Sequence, residues 1–187
     1  SSTLQFSTIF HTFAIATITT TIKSKNMSTS TAPFSKIHEA AADFMPINGT
    51  DYLEFYVSNA KQAAHLDKSV MGCQSLDYAG LETGNREWES YVVVQDTIRL
   101  ILTSPLRSGT EVGKHIDRHG DGVKVTALWV DDATYAYEEA MKRGATHYMS
   151  PTTEEDAGGN VERSGIYSYG LVVHLVVVRK DYKGTCL

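Results

Sequence analysis

The chain has few cysteines, no run of basic residues and no long apolar stretch. Among its 187 residues only Cys73 and Cys186 are cysteines, and their positions fit neither a disulfide framework nor a zinc site. The 17 lysines and arginines form no run and the formal net charge is −5, which argues against nucleic acid as a partner. No uninterrupted apolar stretch reaches the ~18 residues that span a bilayer. We therefore expect a cytoplasmic protein that binds neither nucleic acid nor a membrane.

Acidic residues are absent from the start of the chain, where the first is Glu39. Residues 1–33 are instead rich in serine and threonine, and no basic residue precedes their mildly apolar segment, as it would in a signal peptide. We expect residues 1–33 to be a disordered or non-native N-terminal extension, and residues 34–187 to form the folded domain.

What the chain does contain is a copy of part of itself. The segment 53–60 recurs in pattern 73 residues later as 126–133, and in both copies an alternating strand leads through Ser, Asn or Asp into a helix. Asn59 is a good N-cap for the first helix, and the two helices end near Gly72 and Gly144. The repeat predicts a duplicated module that begins with a strand and a helix.

Further strands complete each module. We predict strands at 51–57, 74–78, 90–95, 98–103, 123–130, 146–150, 161–167 and 171–178, with a short linker helix over 110–118 and a hairpin turn at 156–160. The predicted fold class is α+β, with two βαβββ modules forming a curved eight-stranded cup. The first module covers about 49–104 and the second about 123–180, and residues 105–122 link them.

Three segments carry a resemblance to a known family. They are GTDYLEFYVSNAKQAA at 49–64, YAGLETG at 78–84 and HGDGVKV at 119–125. In this order and spacing they resemble the start of the 4-hydroxyphenylpyruvate dioxygenases, and the duplicated βαβββ order resembles the vicinal oxygen chelate superfamily, which also contains glyoxalases (a glyoxalase/bleomycin-resistance/dioxygenase-like fold). The resemblance runs from about Phe34 to the end of the chain.

The resemblance implies a domain of an enzyme. Members of that family convert 4-hydroxyphenylpyruvate and O2 into homogentisate and CO2 with non-haem Fe(II), in tyrosine catabolism, and consist of an N-terminal and a C-terminal barrel. This chain resembles the N-terminal barrel alone. The resemblance therefore implies a partner in the C-terminal catalytic barrel of the same polypeptide, and it places the iron ligands beyond Leu187. We also expect a homo-oligomer.

The residues themselves argue against an iron site in this barrel. Fe(II) oxygenases need two imidazoles and one carboxylate on one face of the ion. In this architecture the imidazoles come from the cup-facing positions of the two module-opening strands, and those positions are Tyr52 and Val125. Valine has no donor atom, and tyrosine is an uncommon Fe(II) ligand. We expect this chain to hold no metal or other cofactor and to carry no catalytic residue.

Some side chains could still have a binding role. Glu54 is expected to face the cup, either as a ligand-binding acid with a raised pKa or as the partner of an arginine such as Arg99. His174 could join Glu54 at a metal ion, but we favour a hydrogen-bonded strand histidine. The residues predicted to line the cup are Tyr52, Glu54, Tyr56, Val125, Trp129 and His174.

Two other polar groups are interpreted as structural. His115 and His119 lie four residues apart, a spacing that can chelate a metal on a helix, but His119 adjoins a Gly-Asp-Gly turn and suits a surface or capping role. The carboxylates at 154–156 are expected to be a solvated loop.

Three functions follow from these patterns. We favour the N-terminal, non-metal-binding domain of a 4-hydroxyphenylpyruvate dioxygenase, inactive as an isolated fragment. A stand-alone glyoxalase-like protein that binds a small molecule in its cup is the first alternative. The second is a metal-dependent lyase whose site, using His174 and Glu54, forms at a dimer interface.

Overall fold

The strands of the molecule form one mixed sheet. A computed structural model describes residues 43–156, 158–180 and 182–184, and within these the chain forms eight strands and three α-helices. The strands are β1 (Ile47–Tyr56), β2 (Gln74–Ala79), β3 (Trp88–Gln95), β4 (Ile98–Pro105), β5 (Gly122–Val130), β6 (Thr146–Asp156), β7 (Gly159–Tyr167) and β8 (Val173–Lys180). The helices are α1 (Ala60–Val70), α2 (Glu111–His119) and α3 (Ala133–Lys142), and a 3-10 turn covers Leu81–Thr83.

The strand order shows two equivalent halves. The sheet runs β2-β3-β4-β1-β5-β8-β7-β6, so each half contributes four adjacent strands in the same relative order. In each half the first strand is parallel to the last, β1 to β4 and β5 to β8, and the two first strands pair antiparallel at the centre. The predicted fold of two βαβββ modules in an eight-stranded cup is confirmed.

Each module-opening strand leads into its helix through the same kind of cap. The side chain of Asn59 accepts a hydrogen bond from the backbone N–H of Gln62 at 2.8 Å, and Asp132 accepts one from Tyr135 at 2.8 Å. Both satisfy an N–H group that the first turn of a helix leaves without an intrahelical partner. Thr110 caps α2 in the same way.

Alternation along the strands separates an inner face from an outer face. One apolar cluster covers the inner face of both halves: Tyr52, Val92, Ile101, Val125, Ala127, Val161, Val173, Leu175 and Val177. On the outer face, alanines of α1 and α3 pack against the strands, which lets the helices approach the sheet closely. Each large apolar side chain that is fully buried in these clusters stabilises the folded state by about 1.5–3 kcal/mol.

Some element boundaries differ from the sequence prediction. β6 continues to Asp156 and pairs with β7 as far as Gly159, so the hairpin turn is shorter than the predicted 156–160. β8 begins at Val173 because Leu171 has a positive φ of 69° and Ser168 donates its backbone N–H to Val172. The predicted extension 1–33 lies outside the described residues. No helix in the described part of the chain is long and apolar enough to cross a membrane.

Candidate functional site

The inner face of the central strand pair is where this architecture would place its chemistry. On β1 and β5, Glu54 pairs with Val125, and Tyr52 pairs with Ala127. Tyr52 and Val125 are 7% and 4% exposed and belong to the inner apolar cluster. Burial is the main cause that raises the pKa of the Tyr52 hydroxyl, so the phenol stays protonated in its apolar surroundings.

These inner residues do not fit a ferrous ion. Val125 offers no donor atom, and the inner positions of the last strand are Val173, Leu175 and Val177, none of which carries a carboxylate. An Fe(II) oxygenase site requires imidazole and carboxylate donors on one face of the ion. Among the residues that the structure describes, no group of three or more His, Cys, Asp or Glu could hold a metal ion.

Glu54 anchors a polar region within the inner face. Its carboxylate accepts a 2.8 Å hydrogen bond from the Thr103 hydroxyl on β4, and Thr103 lies 2.6 Å from the Ser90 hydroxyl on β3. Because Thr103 donates to Glu54, Ser90 donates to Thr103. Burial raises the pKa of the Glu54 carboxyl, while the Thr103 hydrogen bond and the charge of Lys124 oppose the rise. Glu54 is therefore a carboxyl held in a partly desolvated place.

Of the two roles expected for Glu54, the ion pair with Arg99 is not the one that the structure shows, because Arg99 pairs with Asp51. Arg99 lies 3.8 Å from Asp51, and Arg179 on β8 holds Asp51 with hydrogen bonds of 2.7, 2.8 and 3.0 Å. A register shift in the pairing of β1 with β5 falls between Thr50 and Tyr52, and Asp51 is the residue of β1 without a partner there. Asp51 thus connects the two modules at one end of the cup. Glu54 lies two residues beyond Tyr52 on β1, and its hydrogen-bond partner is the Thr103 hydroxyl instead of an arginine.

Lys124 is a functional candidate that the sequence did not reveal. Its side chain is buried, its Nζ donates a 2.9 Å hydrogen bond to the Leu171 carbonyl, and it lies 5.8 Å from the centre of the Tyr56 ring. The register of β5 against β1 shifts between Glu54 and Phe55, which leaves Lys124 as an extra residue on β5. Strand alternation alone gives no sign of this bulge. Thr103 and Ser90 could have been predicted from the sequence, because each lies two residues from an inner-face apolar residue, Ile101 on β4 and Val92 on β3.

A cavity of about 250 Å³ opens beside Glu54. Its walls come from β1, β3, β4 and α2 and include Glu54, Tyr56, Trp88, Ser90, Thr103 and Glu111. Burial raises the pKa of the Tyr56 hydroxyl, and the nearby carboxylates of Glu54 and Glu111 raise it further. The cavity therefore combines acidic and hydroxyl groups with two aromatic side chains.

His115 and His119 lie near this cavity, on α2. Their ring centroids are 4.7 Å apart, and the rings of His115 and Tyr56 are nearly perpendicular with centroids 5.4 Å apart. Burial is the main cause that lowers the pKa of His115, and the charge of Lys124 lowers it further. His119 is the last residue of α2 and is exposed, with Gly120 as the C-cap.

Trp129 occupies a different place from the polar cavity. It is 47% exposed and lines a larger groove of about 560 Å³ at the far end of β1 and β4, together with Asp51, Tyr52 and Arg99. The tryptophan predicted to line the cup thus lies at the opposite end of β1 from the Glu54 cavity.

The prediction that His174 faces the cup is wrong. On β8, Val173 and Leu175 point into the inner cluster, so strand alternation places His174 on the outer face. There it borders a small cavity with Ala136 and Ala140 of α3. His174 and Glu54 therefore lie on opposite faces of the sheet and cannot bind one metal ion within this chain.

The remaining candidates have ordinary surroundings. The prediction that 154–156 form a loop is wrong, because these residues are the end of β6 and pair with β7; Glu154 there is exposed and forms an ion pair with Arg163 on β7. Cys73 is a buried free thiol, and it packs beneath α1. Cys186 lies outside the described residues.

Sequence comparisons relate this chain to one group of enzymes. The 4-hydroxyphenylpyruvate dioxygenase of Dictyostelium discoideum is 41% identical over 143 residues, which are 75% of this chain and 39% of that protein. Those of Aspergillus fumigatus and Danio rerio are 37% and 41% identical, over 86% and 73% of this chain and 43% and 35% of their own lengths. The chain thus spans less than half of these curated relatives. No family model matches it.

Solved structures extend the likeness. A mutant of 4-hydroxymandelate synthase from Streptomyces coelicolor is similar with a TM-score of 0.66 and 28% identity, covering 72% of this chain and 39% of that one. Methylmalonyl-CoA epimerase from Mycobacterium tuberculosis has a TM-score of 0.57 at 16% identity, over 76% of this chain and 94% of that one. The second likeness shows the fold alone.

Proposed function

This chain belongs to the vicinal oxygen chelate superfamily as a sequence relative of the 4-hydroxyphenylpyruvate dioxygenases, and from that premise we propose that it is the N-terminal, non-metal-binding barrel of such an enzyme. The whole enzyme would convert 4-hydroxyphenylpyruvate and O2 into homogentisate and CO2 in tyrosine catabolism. Its Fe(II) would be held outside this chain, by a C-terminal catalytic barrel of the same polypeptide.

One observation supports the non-metal-binding role more than any other. The inner positions of the two opening strands, where this architecture would need imidazoles, are a buried tyrosine and a buried valine in one apolar cluster. Replacing those donors with packed side chains gives the barrel a core instead of an open coordination site. A barrel of this kind would contribute stability and association to a longer enzyme, in the cytoplasm and as a homo-oligomer.

The test is an activity measurement on the purified chain. We expect no homogentisate and no O2 uptake when the chain is incubated with Fe(II), ascorbate and 4-hydroxyphenylpyruvate, because the described residues provide no ligand set for the iron. The full-length Dictyostelium discoideum relative, assayed in parallel, serves as the positive control. Homogentisate formed by this chain alone, or one tightly bound iron per chain, would overturn the proposal.

The cavity beside Glu54 favours one other function. The described residues offer no metal ligand set but do form a polar, partly enclosed cavity, and this combination suits a stand-alone protein that binds a small molecule without chemistry. Saturable binding of a small molecule to this chain, together with an absence of any catalytic barrel on the native polypeptide, would favour this alternative.

A further inference from the structure

The cavity beside Glu54 has an unusual balance of charge. Two carboxylates that line it, those of Glu54 and Glu111, form no ion pair in the described part of the chain, and no arginine or lysine is among the lining residues, although Lys124 lies near Glu54 behind the Tyr56 ring. The third, Glu87, forms an ion pair with Arg107. The wall is therefore acidic overall, and Glu54 is the member of it that is buried deeply enough to raise its pKa.

The nearest buried cation does not neutralise Glu54 through a hydrogen bond. Lys124 donates to the backbone carbonyl of Leu171 and lies over the Tyr56 ring. Its charge attracts Glu54, but the effect of burial remains the larger one. Glu54 itself receives a hydroxyl hydrogen bond from Thr103 on Oε1. Its charge could be compensated more fully by a cation that enters the cavity.

The aromatic side chains on the wall suit one class of cation. Tyr56 and Trp88 both line the cavity, and aromatic faces attract cations that have shed most of their hydration. Metal ions such as Ca²⁺ prefer a shell of six to eight oxygen atoms, whereas alkylated ammonium ions pair well with carboxylates and aromatic rings. The volume of about 250 Å³ equals that of roughly eight waters at about 30 Å³ each, which is enough for a small organic molecule.

We propose that this cavity binds a small alkylated ammonium ion, whose charge is compensated by Glu54 and Glu111 and whose alkyl groups contact Tyr56 and Trp88. The site lies wholly within this chain. It is therefore independent of the proposed dioxygenase function and can fail or succeed separately from it.

Choline is a suitable probe, because 3,3-dimethyl-1-butanol has the same shape without the charge. By calorimetry at constant ionic strength, we expect saturable binding of choline to the whole chain with a Kd in the millimolar range or below. The neutral analogue should bind at least about tenfold more weakly. Equal binding of both compounds, an equal response to CaCl2, or no saturable heat would overturn the proposal.

Variants identify the site. Glu54→Gln retains an oxygen that can accept from Thr103 but removes the charge, and we expect it to weaken choline binding by about tenfold or more. Glu111→Gln should weaken it less, because Glu111 is exposed. Glu138→Gln, exposed on α3, is the matched control and should bind like the wild type. Unchanged affinity in Glu54→Gln sinks the proposal, and if that variant fails to fold, unchanged affinity in both Glu111→Gln and Trp88→Leu does so.

Discussion

Burial of Glu54 makes the stability of the fold depend on pH. Its carboxyl has a pKa above the ordinary 4.5, chiefly because of burial, so the folded chain keeps the proton at pH values where the unfolded chain has released it. In that window the folded state binds more protons, and stability falls as the pH rises. The contribution of protonated Glu54 is complete below the unfolded pKa and is lost as the pH rises through the folded pKa.

A Glu54→Gln variant should lack this dependence. Its amide cannot ionise. We therefore expect the free energy of unfolding of the variant to rise relative to that of the wild type as the pH increases from about 4 to about 7. Urea unfolding at several pH values measures this difference. The other charged and polar groups near Glu54 are Glu111, Lys124, Tyr56 and His115, and they are present in both proteins. Parallel pH profiles for variant and wild type would show that Glu54 ionises as readily in the fold as outside it.

Asp51 is a mostly buried carboxylate whose hydrogen-bond partners are arginines. Its side chain is 10% exposed and accepts three hydrogen bonds from Arg179, with Arg99 also near. Removing one partner of such a pair leaves the other buried without compensation.

We expect Asp51→Asn to lower the free energy of unfolding by about 3 kcal/mol. Urea titration at neutral pH measures it. The matched control is Glu87→Gln, which breaks the ion pair with Arg107, where both side chains are more than half exposed. That change should cost less than about 1 kcal/mol, because solvent screens such a pair. If Asp51→Asn lowers the free energy of unfolding no more than the control does, the contacts of Asp51 with Arg99 and Arg179 do not stabilise the fold.

At the scale of elements, the entry to α1 is held by two separate contacts. Asn59 caps the helix, and the neighbouring Ser58 donates both its N–H and its hydroxyl to Asp121, at 2.9 and 2.6 Å. Asp121 precedes β5, so the start of the first helix is connected to the opening strand of the second module. The motifs at 49–64 and 119–125 therefore meet in space.

Losing the α1 cap should destabilise the protein modestly. We expect Asn59→Ala to cost about 1 kcal/mol and Asn59→Asp to cost only a few tenths, since aspartate caps as well as asparagine. Asp132→Ala, at the equivalent position of the second module, should cost a similar amount. Thermal and urea unfolding of the three variants measure these losses. Equal losses for Asn59→Ala and Asn59→Asp would show that the cap hydrogen bond contributes nothing.

The same scale shows where sequence patterns fail. On β1, strict alternation allowed the faces of Tyr52 and Glu54 to be predicted. On β8, apolar residues occupy both faces because a helix covers one and the cup lies on the other, so no alternation identified the face of His174. Lys124 was missed for a different reason, since a bulge is a feature of pairing between strands and leaves no periodic signal along one of them.

At the scale of the whole molecule, the duplication predicted the topology but not the distribution of polarity. The sequence repeat was enough to assign two βαβββ modules and the central pairing that joins them. The two copies differ on their inner faces: Glu54 of the first corresponds to Ala127 of the second, which is fully buried. Polar residues therefore collect at one end of the first module, where α2 closes the cavity, and this contact between distant segments could not be inferred from spacing alone.

The contacts between the modules predict that they unfold together. β1 and β5 pair along most of their length, and Asp51 binds arginines of both modules. The chain contains two tryptophans, and they report on different modules: Trp88 lies on β3 and Trp129 on β5. We expect Trp88→Phe and Trp129→Phe, each with one remaining tryptophan whose fluorescence is excited selectively at about 295 nm, to give urea transitions that coincide with the loss of circular dichroism in the same variant.

Adding Asn59→Ala to each of these proteins sharpens the test. Although the cap lies in the first module, it should lower the midpoint reported by Trp129 as much as the midpoint reported by Trp88, because a cooperative unit loses stability as a whole. Asp132→Ala, which removes the cap in the second module, should likewise lower the midpoints reported by Trp88 and by Trp129 equally. A shift confined to the tryptophan of the mutated module would mean that the central strand pair separates before either module unfolds, and that each βαβββ module is stable by itself.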